Sequence, residues 1–207
     1  MSLQEQLGTQ STLYIKQRRE LAELIGFETR NKYSIETEHG EAIGFAAEQQ
    51  KGILGFLLRQ FLGHWRTYEI YCFDSLKQLS LKAVHPFRFL FQRLEVFSSD
   101  GVKIGAVQQR FSVFTKKFDV LDDNNQILMT VASPFWKIWT FAFQKQNQTV
   151  ATIKKKWSGL LTEVFTDQDQ FRIEFNDPNL NLAEKTLLLV SGLFIDLQYF
   201  ERKAGRR

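Results

Sequence analysis

The sequence predicts a mainly β protein: a closed antiparallel barrel around a buried C-terminal hydrophobic helix, with a short helix near the N-terminus. Three observations carry that prediction. Of 207 residues, 20 are Phe and three are Pro, a balance that favours strands with a wide interior to fill. Apolar alternating runs recur with Asn, Asp or Gly between them, the pattern of successive hairpins. The most apolar long stretch, EKTLLLVSGLFIDLQYFERK at 184–203, is too short and too interrupted to span a bilayer.

The first 20 residues, MSLQEQLGTQSTLYIKQRRE, lack the apolar core of a secretory signal and a glycine after Met1. The expected location is therefore intracellular, either cytoplasmic or peripherally membrane-associated, and not secreted. Residues 11–25 carry Leu21, Leu24 and Ile25 at helical spacing behind Ser11 or Thr12 as a cap. This predicts a helix, and residues 1–30 are taken as an N-terminal tail and helix ahead of a barrel over 31–203.

From Lys32 the period changes to two. NKYSIETEHGEAIGFAAE reads as strand, turn at His39-Gly40, strand. Later units turn at Asp100-Gly101, at Asn124-Asn125, near Asn147 and near Asp167, residues that tolerate tight hairpin geometry. In one of them Phe87, Phe89 and Phe91 share a strand face, with a bulge near Gln92-Arg93 restoring the parity of Leu94 and Val96. Trp139, Phe141 and Phe143 form a second such set, and Phe171, Ile173 and Phe175 a third. An open meander would leave sticky edges, so the sheet is expected to close.

The last helix, 184–201, would be about 27 Å long at ~1.5 Å per residue. Its apolar residues are Leu187, Leu188, Leu189, Val190, Leu193, Phe194 and Ile195, ended by Asp196. A carboxylate in mid-bilayer costs roughly 3 kcal/mol or more. The barrel axis is the better home for this helix. Asp196 then needs a strand Arg or Lys, or a backbone donor.

At this point the residues resemble a known family. IKKKWSGLLTEVFTDQDQFRIEF followed by LLLVSGLFIDLQYFE is similar to the end of the phospholipid scramblases: a basic cluster, Trp, Ser, Gly, then FTDxDxFxIxF, then an apolar helix closing on FIDxxYFE. LIGFETRNKYSI and GFAAE resemble the family's start, and PFRF and GAVQQRFS its middle. The likeness covers roughly 13–203. It implies a tubby-like fold of about twelve strands closed around the C-terminal helix, and calcium-dependent, ATP-independent movement of phospholipid between leaflets. The Pro-rich tail and cysteine run of animal members are missing. Cys72 is the one cysteine, which excludes a disulfide framework and a cysteine metal cluster.

Three candidate sites follow. The resemblance implies Ca2+ at Asp167 and Asp169, with Glu174 and Asp177 adding oxygens. An EF-hand loop is excluded, because counting from Asp167 puts Arg172 at its glycine position and Pro178 at its glutamate position. The alternative is a plain solvated turn. The insert KGILGFLLRQFLGHWR, 51–66, sets Phe56, Phe61 and Trp65 among Lys51, Arg59 and Arg66, an amphipathic pattern that suits a membrane interface or a cap on the barrel. Lys154, Lys155 and Lys156 suit anionic lipid, or form a solvated strand end. A net charge of +4 and a pI near 9.1 permit such partners without requiring them. Nucleic acid is not expected as a partner, since only the lysine run would support it. The scattered His39, His64 and His85 have no ligand spacing, and no nucleophile elbow, phosphate loop or dinucleotide motif occurs, so no conventional catalytic site is expected. Two functions remain open: a scramblase-like lipid translocator, or a barrel that binds a protein or a phosphoinositide headgroup without transport.

Overall fold

The computed structural model describes residues 2–18, 29–49, 67–88, 90–113, 115–134, 136–137, 139–156 and 170–200. Twelve antiparallel strands form a closed barrel: β1 (Thr12–Gln17), β2 (Thr29–Thr37), β3 (Ala42–Gln49), β4 (Tyr68–Asp74), β5 (Leu79–His85), β6 (Arg93–Ser98), β7 (Lys103–Gln109), β8 (Thr115–Asp122), β9 (Ile127–Pro134), β10 (Thr140–Lys145), β11 (Gln148–Lys156) and β12 (Gln170–Phe175). Each strand pairs with its sequence neighbours, and β1 closes the ring on β12 through Leu13 opposite Ile173 and Ile15 opposite Phe171. Closure removes both free edges.

Helix α1 (Leu3–Thr9) precedes the barrel, and α2 (Leu182–Ile195) runs through it, continued by a π-helical turn over Asp196–Phe200. Both helices start on a capping box, Ser2 with Glu5 and Asn181 with Glu184, which satisfies amide donors at each first turn. Residues 184–197 are buried. Phe118 touches Phe141, Phe143 and Phe194 at ring-centroid distances of 6.2, 5.7 and 6.1 Å, so the helix is gripped by strand aromatics. This is the wide Phe-filled interior that the composition suggested. No described helix is long and apolar enough to cross a membrane.

The helix expected over 11–25 is absent from its described part, residues 11–18. Thr12–Gln17 is a strand, and the short helix lies upstream at Leu3–Thr9. Leu13 and Ile15 both face inward at a period of two, and Thr12–Gln17 pairs with β12 on one side and β2 on the other. The barrel therefore begins at Thr12 rather than at residue 31. Residues 19–28 lie outside the described residues.

One strand assignment also changes. Phe87 and Phe91 sit in the connection 86–92, exposed, while the strand starts at Arg93; Phe89 lies outside the described residues. Pro86 at the head of the segment and a left-handed Phe91 (φ 55°) interrupt the ladder. The turn expected near Asp167 lies outside the described residues, as does the stretch before it. β12 is flanked by β11 and β1, which occupy both of its edges.

The two ends of the barrel differ. At one mouth the strands are joined by tight turns, with Gly40, Gly101, Asn125, Asn147 and Lys77 in the left-handed region. Here α1 packs Leu3 and Leu7 into the interior. The Lys185 ammonium donates to the Gly8 and Gln10 carbonyls at 2.6 and 2.8 Å. At the other mouth lie all the longer connections, and α2 ends there.

Candidate functional site

The inward side chains at the loop-bearing mouth do not follow the apolar rule of the rest of the barrel. Lys155 shares the parity of Ala151 and Ile153 on β11, and it is buried. Lys116 shares the parity of Phe118 and Val120 on β8. Both lysines meet aromatic rings. Lys155 Nζ lies 5.3 Å from the Phe171 ring centre and 4.1 Å from that of Phe200. Lys116 Nζ lies 4.8 to 5.2 Å from Phe141, Tyr199 and Phe200. Trp139 stacks on Phe200 at 5.3 Å. Two cations thus sit against an aromatic rim, at distances where the ring quadrupole attracts them.

Asp196 completes the cluster at the end of α2. The Tyr33 hydroxyl donates to Asp196 Oδ2 at 2.8 Å, and Lys155 Nζ stands 3.9 Å from Oδ1. The strand cation that Asp196 needs is therefore Lys155. Lys154 and Lys156 point outward and are exposed, so the basic run offers two surface lysines instead of three. Lys154 is bound to Glu174 at 2.9 Å.

Of the four acidic candidates, Asp167 and Asp169 lie outside the described residues. Glu174 is held by Lys154 and by Arg172 at 3.3 Å. Asp177 accepts two hydrogen bonds from Asn179, at 2.9 and 3.1 Å. Gln170 and Asp177 stand at opposite ends of β12, about 20 Å apart at ~3.3 Å per strand residue. One ion cannot reach both places. Among the described residues no group of three or more His, Cys, Asp or Glu is placed to hold a metal.

Lys51, Phe56, Arg59, Phe61, Trp65 and Arg66 also lie outside the described residues. Their flanking residues Gln49 and Tyr68 are at the loop-bearing mouth, as are Lys156 and Gln170. The topology thus brings the departure points of both segments to one end of the molecule. Sequence reasoning missed Tyr33, Lys116 and the aromatic rim. Parity is the signal that could have found the lysines, since Lys116 alternates with Phe118 and Val120, and Lys155 with Ile153 and Ala151.

The scramblase family profile matches residues 2–202. The chain belongs to the scramblase family. It is 30% identical to phospholipid scramblase 2 of Bos taurus, over 93% of this chain and 69% of that one. It is 28% identical to phospholipid scramblase 1 of Mus musculus, over 96% of this chain and 63% of that one. A crystal structure of an Arabidopsis thaliana protein is similar over 94% of this chain and 92% of its own, with a TM-score of 0.48 and 12% identity.

Proposed function

We propose that the protein works at a phospholipid surface as a scramblase-like member of its family, associating with anionic lipid and moving phospholipid between leaflets without ATP. The match across residues 2–202 is the observation that carries this reading. Proposed lipid contacts are Lys51, Phe56, Arg59, Phe61, Trp65 and Arg66 in the insert, with Lys154 and Lys156 on β11. Lys155 is left out of that set because it faces Asp196. The test is a vesicle assay with fluorescent lipid in both leaflets and a quencher that cannot cross. Signal lost beyond the outer-leaflet share, without leakage, is the expected result. A plateau at the outer-leaflet share overturns transport.

Calcium responsiveness is part of the proposal and rests on Asp167 and Asp169, with Glu174 as the nearest acidic side chain on β12. The same assay run with calcium and with chelator tests it, together with Trp157 fluorescence and thermal stability. No change on adding calcium to millimolar levels removes calcium from the mechanism.

The enclosure of α2 favours a second reading, in which the barrel is a scaffold that binds a protein or a phosphoinositide headgroup and transports nothing. Amide exchange separates the two. Helix amides that stay protected on vesicles, together with no lipid flux, select the binding module.

A further inference from the structure

Three neighbouring connections at the loop-bearing mouth share an unusual composition. They join β5 to β6 (86–92), β7 to β8 (110–114) and β9 to β10 (135–139). Phe87 and Leu90 are exposed on the first, Phe111 and Val113 on the second and Trp136 on the third. Phe111 is 75% exposed and Trp136 68%, high values for rings that normally seek cover. Phe91 meets Phe111 edge-on with ring centres 6.4 Å apart, so the first two loops touch. Phe91 also holds φ 55°, a conformation rare for a bulky residue and concentrated at functional positions.

The charges around these rings have one sign. The stretches 86–92, 110–117 and 134–139 contain Arg88, Arg110, Lys116, Lys117 and Lys137 and no Asp or Glu. The nearest carboxylates on the adjoining strands, Glu95 and Asp119, are paired with Arg93 at 3.0 Å and Arg110 at 3.4 Å. The opposite mouth has the reverse character. Its turns carry Glu38, Glu41, Asp100 and Asp123 against Lys77, and its exposed apolar residues, Leu76, Leu79, Val102, Ile127 and Leu182, are all aliphatic, with no exposed aromatic ring among its described residues.

From this arrangement we infer that the three loops form a docking face that inserts their aromatic tips into an anionic phospholipid bilayer, with Arg88, Lys117 and Lys137 at headgroup level. Aromatic and aliphatic tips inside a basic collar match an anionic interface on both counts. A soluble protein partner would need acidic and apolar surface in the same array, and nothing on this face calls for that. The face puts the acidic mouth and α1 away from the membrane. The inference rests on the lipid-surface reading above and adds the residues and the orientation.

The experiment uses the full chain and vesicles of phosphatidylcholine with or without phosphatidylserine. Wild type is expected to pellet with the phosphatidylserine vesicles and to release in high salt. The variant Phe87→Ser/Phe111→Ser/Trp136→Ser is expected to lose at least about tenfold in vesicle affinity, with its thermal unfolding unchanged. Phe111→Cys and Asp100→Cys are each labelled with an environment-sensitive dye; Cys72 is buried and does not compete. Spin-labelled lipid is expected to quench the dye at 111, within about 5–10 Å of the interface, and to spare the dye at 100. If wild type does not bind either vesicle, the lipid-surface reading falls and this inference with it. If wild type binds, while the triple variant binds equally or the dye at 111 is not quenched, the lipid reading stands and this docking face is refuted. Should the triple variant unfold, quenching at 111 against 100 decides alone.

Discussion

The buried contact between Asp196 and Lys155 makes a quantitative prediction. Both side chains are under 5% exposed and the charged atoms are 3.9 Å apart. At an effective dielectric near 20 their attraction is about 4 kcal/mol. Removing one member leaves the other charge inside the barrel without that partner, which typically destabilises by ~3–5 kcal/mol. Lys155 also keeps the faces of Phe171 and Phe200, and Asp196 keeps the Tyr33 hydroxyl, so the lower end of that range applies. Asp196→Asn and Lys155→Met are each expected to lose about 3 kcal/mol, a fall in Tm of roughly 6–12 °C for a domain of this size. The double variant removes both charges together and is expected to lose at least about 2 kcal/mol less than the sum of the singles. Urea unfolding followed by tryptophan fluorescence measures all three. Strict additivity, within ~0.5 kcal/mol, would show that the two groups do not sense each other and would refute the pairing.

Other perturbations are expected to behave as follows. A Cβ at Gly105 would stand 2.2 Å from the Leu121 carbonyl oxygen and 2.9 Å from Leu187 Cδ1, whereas one at Gly192 would meet the flexible tip of Ile15 at 2.7 Å. Gly105→Ala should therefore destabilise by roughly 2–3 kcal/mol and Gly192→Ala by about 1 kcal/mol, compared by thermal unfolding. Burial tends to raise the Glu36 carboxyl, but bonds from Lys16, Ser34 and Arg18 outweigh it and hold the group below its ordinary 4.5. Its contribution is present above that value and is lost as pH falls through the lowered folded pKa. Glu36→Gln should thus lose about 1–3 kcal/mol at neutral pH, and the difference from wild type should close on acidification below pH 4.5. Burial pushes the Cys72 thiol up to about 12, so a thiol reagent at mildly alkaline pH should label the unfolded chain and spare the native one.

The sequence makes the barrel legible for local reasons. Four of the five expected turns carry their residues in the left-handed conformation that their Gly or Asn chemistry suggested, at Gly40, Gly101, Asn125 and Asn147, and strand parity follows from period-two burial. The helix at 184–201 was readable because Asp196 and the short apolar run argue against a span on length alone. The misread elements have a common cause. Over 12–17 the residues read as the start of a helix but pair as a strand with β2 and β12, and pairing partners are not visible in a local window. Over 86–92 an alternating Phe pattern mimicked a strand, yet Phe87 and Phe91 are exposed. The cluster of Lys155, Asp196 and Tyr33 was hidden for a different reason. A lysine run reads as surface until one knows which parity faces the axis, and Lys155 turns inward only because Ile153 and Ala151 do.

The energy stored in α2 constrains any mechanism of lipid movement. Leu187, Leu188, Leu189, Val190, Leu193, Phe194 and Ile195 are all fully buried. At ~1.5–3 kcal/mol each, they contribute roughly 10–20 kcal/mol of burial, comparable with the whole stability of an ordinary domain, about 5–15 kcal/mol. A bilayer would return part of that to the helix. It would not refill the strand aromatics left behind, Phe118, Phe141 and Phe171 among them, nor replace the Lys155 partner of Asp196. Drawing the helix out into lipid is therefore equivalent to unfolding the barrel, not to opening a local gate. On the proposed reading, lipid movement by the folded protein would therefore proceed from its surface. The loop-bearing mouth, with its exposed rings and basic residues, is the part of the described surface whose chemistry suits that work.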